Sequence, residues 1–196
     1  MLPTTMAKPR PRSSSLEPQP KKGISISKID AAKRQLDTAI DLWFRDGDPV
    51  SIHTLVSAAQ EILLPIAKAK GTVQGVFDTI YIVPDKEKEY FAWMRLHQNF
   101  FKHGSKDPDE TIMFNPEADD GLIRTVIQVY AGVSGVVTPH MNAYIVRFFF
   151  SHPHLHTSDP FPQILPEMKR QFASVPKADF LALALKINVS QPKIGA

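Results

Sequence analysis

Arg95, Asn99 and His103 recur at intervals of four in the stretch RLHQNFFKHGSKDPDETIMFNPE, residues 95 to 117. On a helix this spacing stacks them in one column, because each residue turns the chain by about 100°. A guanidinium grips a phosphate through two parallel N–H donors, a carboxamide positions a hydroxyl, and an imidazole trades a proton near neutral pH. These are the groups that cleavage of an RNA phosphodiester requires. Lys102 lies beside the column and Asp107 and Asp109 follow it, so these three are the candidate binding residues around it. The plainer role for the same side chains is a solvated helix face whose Lys102 and His103 suit the negative C-terminal end.

The other histidines are read against their helical faces. His97 falls opposite Arg95 with Trp93 and Phe100, so it is expected to point into the core and be hydrogen-bonded there. His53 lies beside an apolar stripe with Ser57 and Gln60, and a partner across the adjoining helical hairpin is expected for it. HPHLH places His152, His154 and His156 at alternate positions, where an extended chain could aim three imidazoles at zinc or copper; a solvated turn after FFF is the simpler reading. Asp107, Asp109, Glu110, Asp119 and Asp120 are oxygen ligands of the type magnesium takes, but they lack the loop glycine and spacing of a calcium hand and read first as a helix-start acid cluster. No glycine-rich phosphate loop, G-x-S-x-G elbow or H-E-x-x-H pair occurs. No cofactor or metal is assigned on this basis.

The elements that would position these groups are helices. Ser27 is an N-cap candidate, and Ile29, Ala32, Leu36, Ile40 and Trp43 form one stripe up to about Arg45. The turn DGDP offers Gly47 for a left-handed C-terminal position and Pro49 for a first helical turn. Ile52, Leu55, Val56, Ala59, Ile62, Leu63 and Ile66 line a second helix, with a kink expected at Pro65 and a stop at Gly71. Two such helices joined by a short turn bury their stripes as an antiparallel hairpin. Residues 72 to 83 read as a short helix or buried loop, and Pro84 and Asp85 open a third helix that ends before Gly104. Asn115 as N-cap with Pro116 starts a fourth over 116 to 131, with Leu122, Ile123, Val126, Ile127 and Tyr130 inward. Thr138 and Pro139 start a fifth using Met141, Tyr144, Ile145 and Phe148, and shorter helices follow near 163 to 174 and 177 to 187. The expected fold is all-α: an antiparallel bundle of about five to seven helices over 27–190, preceded by a disordered basic tail over 1–26.

The totals narrow the setting. The net charge of +3 divides into +4 for residues 1 to 22 and −1 for the rest, so the helical part carries no global attraction to nucleic acid. Five prolines in that tail oppose the amphipathic helix of a transit peptide. The absence of cysteine removes disulfides, thiolate metal sites and thiol nucleophiles, and suits a reducing compartment. A soluble, cytoplasmic protein with no membrane association is expected, since no uninterrupted apolar run reaches the length of about 18 residues a span needs.

DTAIDLWFRDGDPVSIHTLVSAAQEIL together with NFFKHGSKDPDETIMFNPE resembles a group of small bacterial proteins of unassigned function, in which a helical hairpin precedes an Asn-Phe-x-Lys-His segment and an Asp-Pro loop. The likeness covers roughly residues 28 to 131. More distantly the chain resembles the HEPN superfamily of helical dimeric domains, many of them metal-independent ribonucleases with Arg and His four to six residues apart. That resemblance implies Arg95 and His103 as the catalytic pair, with seven residues between them and Leu96 after the arginine. The leading expectation is a non-enzymatic protein-interaction module forming a homo-oligomer, a homodimer first, through the edge bearing Arg95, Asn99, Lys102 and His103. A HEPN-like ribonuclease, with RNA as candidate partner, is the alternative, and a metal-binding protein the second.

Overall fold

The computed structural model describes residues 23–72, 87–104, 108–153 and 159–187. Seven helices and no strand occur among the described residues: α1 (Lys28–Phe44), α2 (Pro49–Lys70), α3 (Glu87–Lys102), α4 (Ala118–Ser134), α5 (Pro139–Ser151), α6 (Pro166–Ser174) and α7 (Lys177–Ile187). The all-α expectation is met. The first 22 residues, most of the ambiguous 72 to 83 stretch and the expected start of the third helix at Pro84 and Asp85 lie outside the described residues.

Local chemistry sets most of the ends. Ser27 Oγ accepts from the Asp30 amide at 3.1 Å, and Asp48 accepts from the Ser51 amide at 2.8 Å just before Pro49. The turn between α1 and α2 differs from the expected one. Asp46, not Gly47, takes the left-handed conformation at φ 50°, while the Gly47 amide reaches back to the Leu42 carbonyl at 2.9 Å. This is a Schellman closure with an aspartate at the position usually given to glycine. Gly47 follows one residue later, where a Cβ would stand a tight 3.1 Å from the Leu42 carbonyl oxygen. At the far end of α2, Gly71 does take the left-handed position at φ 69°, and α2 runs through exposed Pro65 as one element.

α1 and α2 pack as the expected hairpin, α4 lies against both, and α5 joins α1 and α4 before carrying α6 and α7 on its other side. Ala32, Leu36, Ile40, Ile52, Val56, Ala59 and Leu63 are buried between the hairpin and α4, which contributes all five inward residues expected of it. By length and composition α2 could cross a bilayer, yet here its stripe is core. α3 docks on α2. The fourth helix begins at Ala118 rather than at Pro116: Asn115 Oδ1 accepts from the Glu117 amide at 3.1 Å, a turn bond spanning two residues that delays the helix. Thr138 caps α5 as expected, accepting from the Met141 amide at 3.2 Å. α6 starts at Pro166, three residues later than the pattern suggests, and has no fully buried residue.

Candidate functional site

α3 carries two chemistries on two faces. Met94, His97 and Gln98 are buried, while Arg95, Leu96, Asn99, Lys102 and His103 are exposed. The column of Arg95, Asn99 and His103 therefore exists on the water side, and among the described residues none of its side chains is bonded to another side chain. Lys102 is tied down: its ammonium meets Glu61 Oε2 of α2 at 2.9 Å. Asp109 is exposed beyond the helix, and Asp107 lies outside the described residues.

Beneath α3 lies a group that the sequence pattern did not assemble. His53 on α2, His97 on α3 and Asp119 in the first turn of α4 are 0%, 1% and 2% exposed. His53 Nδ1 lies 2.8 Å from Asp119 Oδ1, so with an ionised carboxylate it is Nδ1 that carries the proton and donates. His97 Nε2 lies 3.1 Å from the Met113 carbonyl, which can only accept, and this fixes Nε2–H as the donor. The partner of His53 thus comes from α4 and not from the α1–α2 hairpin. His97 is the core histidine its helical face implied.

Aromatic rings wall the group. Phe101 and Phe114 stand 5.6 and 5.3 Å from the His53 ring and 5.3 Å from each other, and the two imidazole centroids are 6.1 Å apart. Burial pushes the Asp119 carboxyl above its ordinary value, opposed by the His53 hydrogen bond and by the charges of His53 and His97. Its second oxygen, Oδ2, is buried with no hydrogen-bond partner among the described residues. Such a carboxylate keeps its charge only at a desolvation cost, which the His53 hydrogen bond partly offsets. All three groups are enclosed, so in this conformation the dyad can hold a proton but cannot present it to a solute.

Asp120, one residue on, is turned by about 100° along the helix and serves a different cluster. Trp43 Nε1–H donates to its Oδ1 at 2.7 Å, His152 Nε2 lies 3.8 Å from its Oδ2, and the Tyr144 hydroxyl donates to its backbone carbonyl at 2.9 Å. Burial raises the Asp120 carboxyl, against the indole bond and the charges of His152 and Lys177. Burial also holds the Tyr144 hydroxyl well above the usual phenol range, with Asp120 and Asp119 adding to the effect. Lys177 closes the cluster from α7, 4.0 Å over the Trp43 ring and 2.9 Å from Asp46.

The acids first grouped together therefore diverge: Asp119 inward, Asp120 toward Trp43, and Asp109 and Glu110 into water. Among the described residues no three His, Asp or Glu side chains converge as metal ligands. His152 donates from Nδ1 to the Phe148 carbonyl at 3.1 Å and stacks on that ring, while His154 and His156 lie outside the described residues. One sequence signal could have found the inner cluster. Asp119 sits on the same stripe as Leu122, Ile123, Val126 and Ile127, and a carboxylate on an apolar stripe needs a buried donor.

No protein-family model, no curated protein and no solved structure matches the chain.

Proposed function

We propose that the protein is a helical interaction module without catalysis of its own, and that its first partner is a second copy of the same chain. The observation supporting this reading is the outer edge of α3 with the segment packed against it. Leu96, 57% exposed, sits among Arg95, Asn99, Lys102 and His103; Met113, 93% exposed, sits among Asp109, Glu110 and Glu117. A two-fold contact must be self-complementary, since each patch meets its counterpart's mate. A cationic helix face beside an anionic segment, each with an exposed apolar residue, meets that requirement: the helix of one copy faces the segment of the other. Leu96 and Met113 would be the apolar anchors, and the surrounding charges would set register and speed of encounter.

Sedimentation velocity over about 1 to 100 µM protein tests this. A concentration-dependent dimer is expected, weakened by Leu96→Asp and by Met113→Asp, with Arg95→Glu rescued in part by Asp109→Lys. A wild-type chain that remains monomeric throughout would overturn the reading. The competing proposal is metal-independent cleavage of single-stranded RNA by the same column, supported by the exposure of Arg95, Asn99 and His103 on one side of α3. Cleavage of mixed RNA in chelator, lost in both Arg95→Ala and His103→Ala, would replace the association reading with this one. No cleavage disposes of it.

A further inference from the structure

We propose that Arg147, on α5 between α6 and α7, anchors a binding site for a small organic carboxylate with an apolar body. α6 and α7 each pack on α5 and make little contact with each other, so α5 forms the floor between the two short helices. Arg147 reaches both sides of that floor. It donates through Nη1 to the Phe172 carbonyl in the last turn of α6, and its guanidinium stands 5.3 Å from the centre of the Phe180 ring of α7. The residue as a whole is only 8% exposed.

Donor counting shows what this cation lacks. A guanidinium presents five N–H donors in a planar fork and has no acceptor. Beyond the bond to Phe172, Arg147 makes no hydrogen bond and no ion pair among the described residues. None of its nitrogens is both sealed from solvent and unbonded, so the remaining donors are reached from outside. A carbonyl and a ring face offset part of the cost of burying the charge, whereas a carboxylate would fill the fork with two parallel charge-assisted bonds. Burial lowers the guanidinium from its ordinary value against the pull of Asp46, as befits a cation short of counter-charge.

The surroundings select the class of anion. Asp46 is the carboxylate whose charge reaches Arg147, and it is committed to Lys177 at 2.9 Å. Two cations thus share one anion, which leaves room for a single further negative charge. On α6, Lys169 is already paired with Asp159, and Arg170 and Glu167 are exposed. The rest of the setting is carbon: the guanidinium lies over Phe180, and Phe172, whose carbonyl it holds, stacks on Phe150 at 6.0 Å. α6 and α7 also expose Met168 and Leu183. An apolar acid would gain at both its ends, while inorganic phosphate would lose hydration that aromatic walls do not replace.

Benzoate and its uncharged isostere benzamide are the probes, followed on the full chain by calorimetry and by the Arg147 side-chain Nε–H resonance. Benzoate is expected to saturate with a Kd of about 1 mM or tighter, and the Arg147 resonance to move along the same curve. Benzamide and inorganic phosphate should each bind at least about tenfold more weakly. Asp46 is exposed and left-handed, a conformation asparagine accepts, so Asp46→Asn removes the competing carboxylate and should tighten benzoate about two- to fivefold. Arg147→Lys keeps the charge without the fork and should weaken it at least about fivefold. No saturation up to about 10 mM benzoate, equal binding of benzamide or phosphate, no gain in Asp46→Asn, or unchanged affinity in Arg147→Lys overturns the proposal. Should Arg147→Lys lose the amide-exchange protection of α7, the wild-type resonance decides: movement with benzoate supports the site, and a resonance that stays still while calorimetry saturates overturns it.

Discussion

At Asp119 the physical conflict is confined to a few atoms. Burial drives the carboxyl toward its protonated form, and the bond from His53 drives it back. The sign of the net shift is upward, so the folded chain takes up this proton at higher pH than the unfolded one. The stability this contributes is complete below the ordinary carboxylate range near 4 and is lost as pH rises through the raised value. Against Asp119→Asn, whose amide oxygen can still accept from His53, the wild type should gain ground as pH falls from neutral toward about 4. Urea denaturation across that range measures it, and a difference between the two proteins that does not vary with pH would contradict the assignment. In the sequence Asp119 reads as one of a helix-start acid cluster, although its spacing from Leu122, Ile123 and Val126 places it on their apolar stripe. That spacing could not show that a histidine 66 positions earlier would meet it.

Helix ends supply the clearest test of local coding. Thr138 does two things at once: its Oγ accepts from the Met141 amide and donates to Asp37 Oδ1 at 2.6 Å, joining the start of α5 to α1. Thr138→Ala removes both and should cost about 1 to 2 kcal/mol, largely recovered by Thr138→Ser and not by Thr138→Val, as read from urea midpoints at constant m. The cap was legible because capping depends on residues within one turn. The same local logic placed the left-handed turn after α1 one residue too late. Asp46 can adopt that conformation, and at the next position a Cβ on residue 47 would crowd Leu42, a tight contact that glycine avoids. At α4, Asn115 is the expected N-cap, but its side chain accepts from the Glu117 amide in a turn and the helix starts at Ala118.

Across the whole molecule, aromatic packing fastens the C-terminal helices to the hairpin. Phe44 on α1 stacks at 6.1 Å on Phe180 of α7 and meets Tyr144 of α5 edge-on at 6.4 Å. Phe44→Ala should lower stability by about 3 to 5 kcal/mol in urea denaturation, with α7 losing exchange protection before α2 does. If α7 keeps its protection, Phe44 is not what holds it. Leu96→Asp, by contrast, changes an exposed side chain and should leave the monomer's stability within about 0.5 kcal/mol while it acts on association. Period and capping in the sequence determined an all-helical chain, the two faces of α3 and the inward direction of His97, because those properties arise from neighbours three or four residues apart. The pairing of His53 with Asp119, of Trp43 with Asp120 and of Thr138 with Asp37 spans 66, 77 and 101 positions. Only the tertiary structure decided these, because which buried donor meets which buried acid depends on how the helices are stacked, and no local interaction records that.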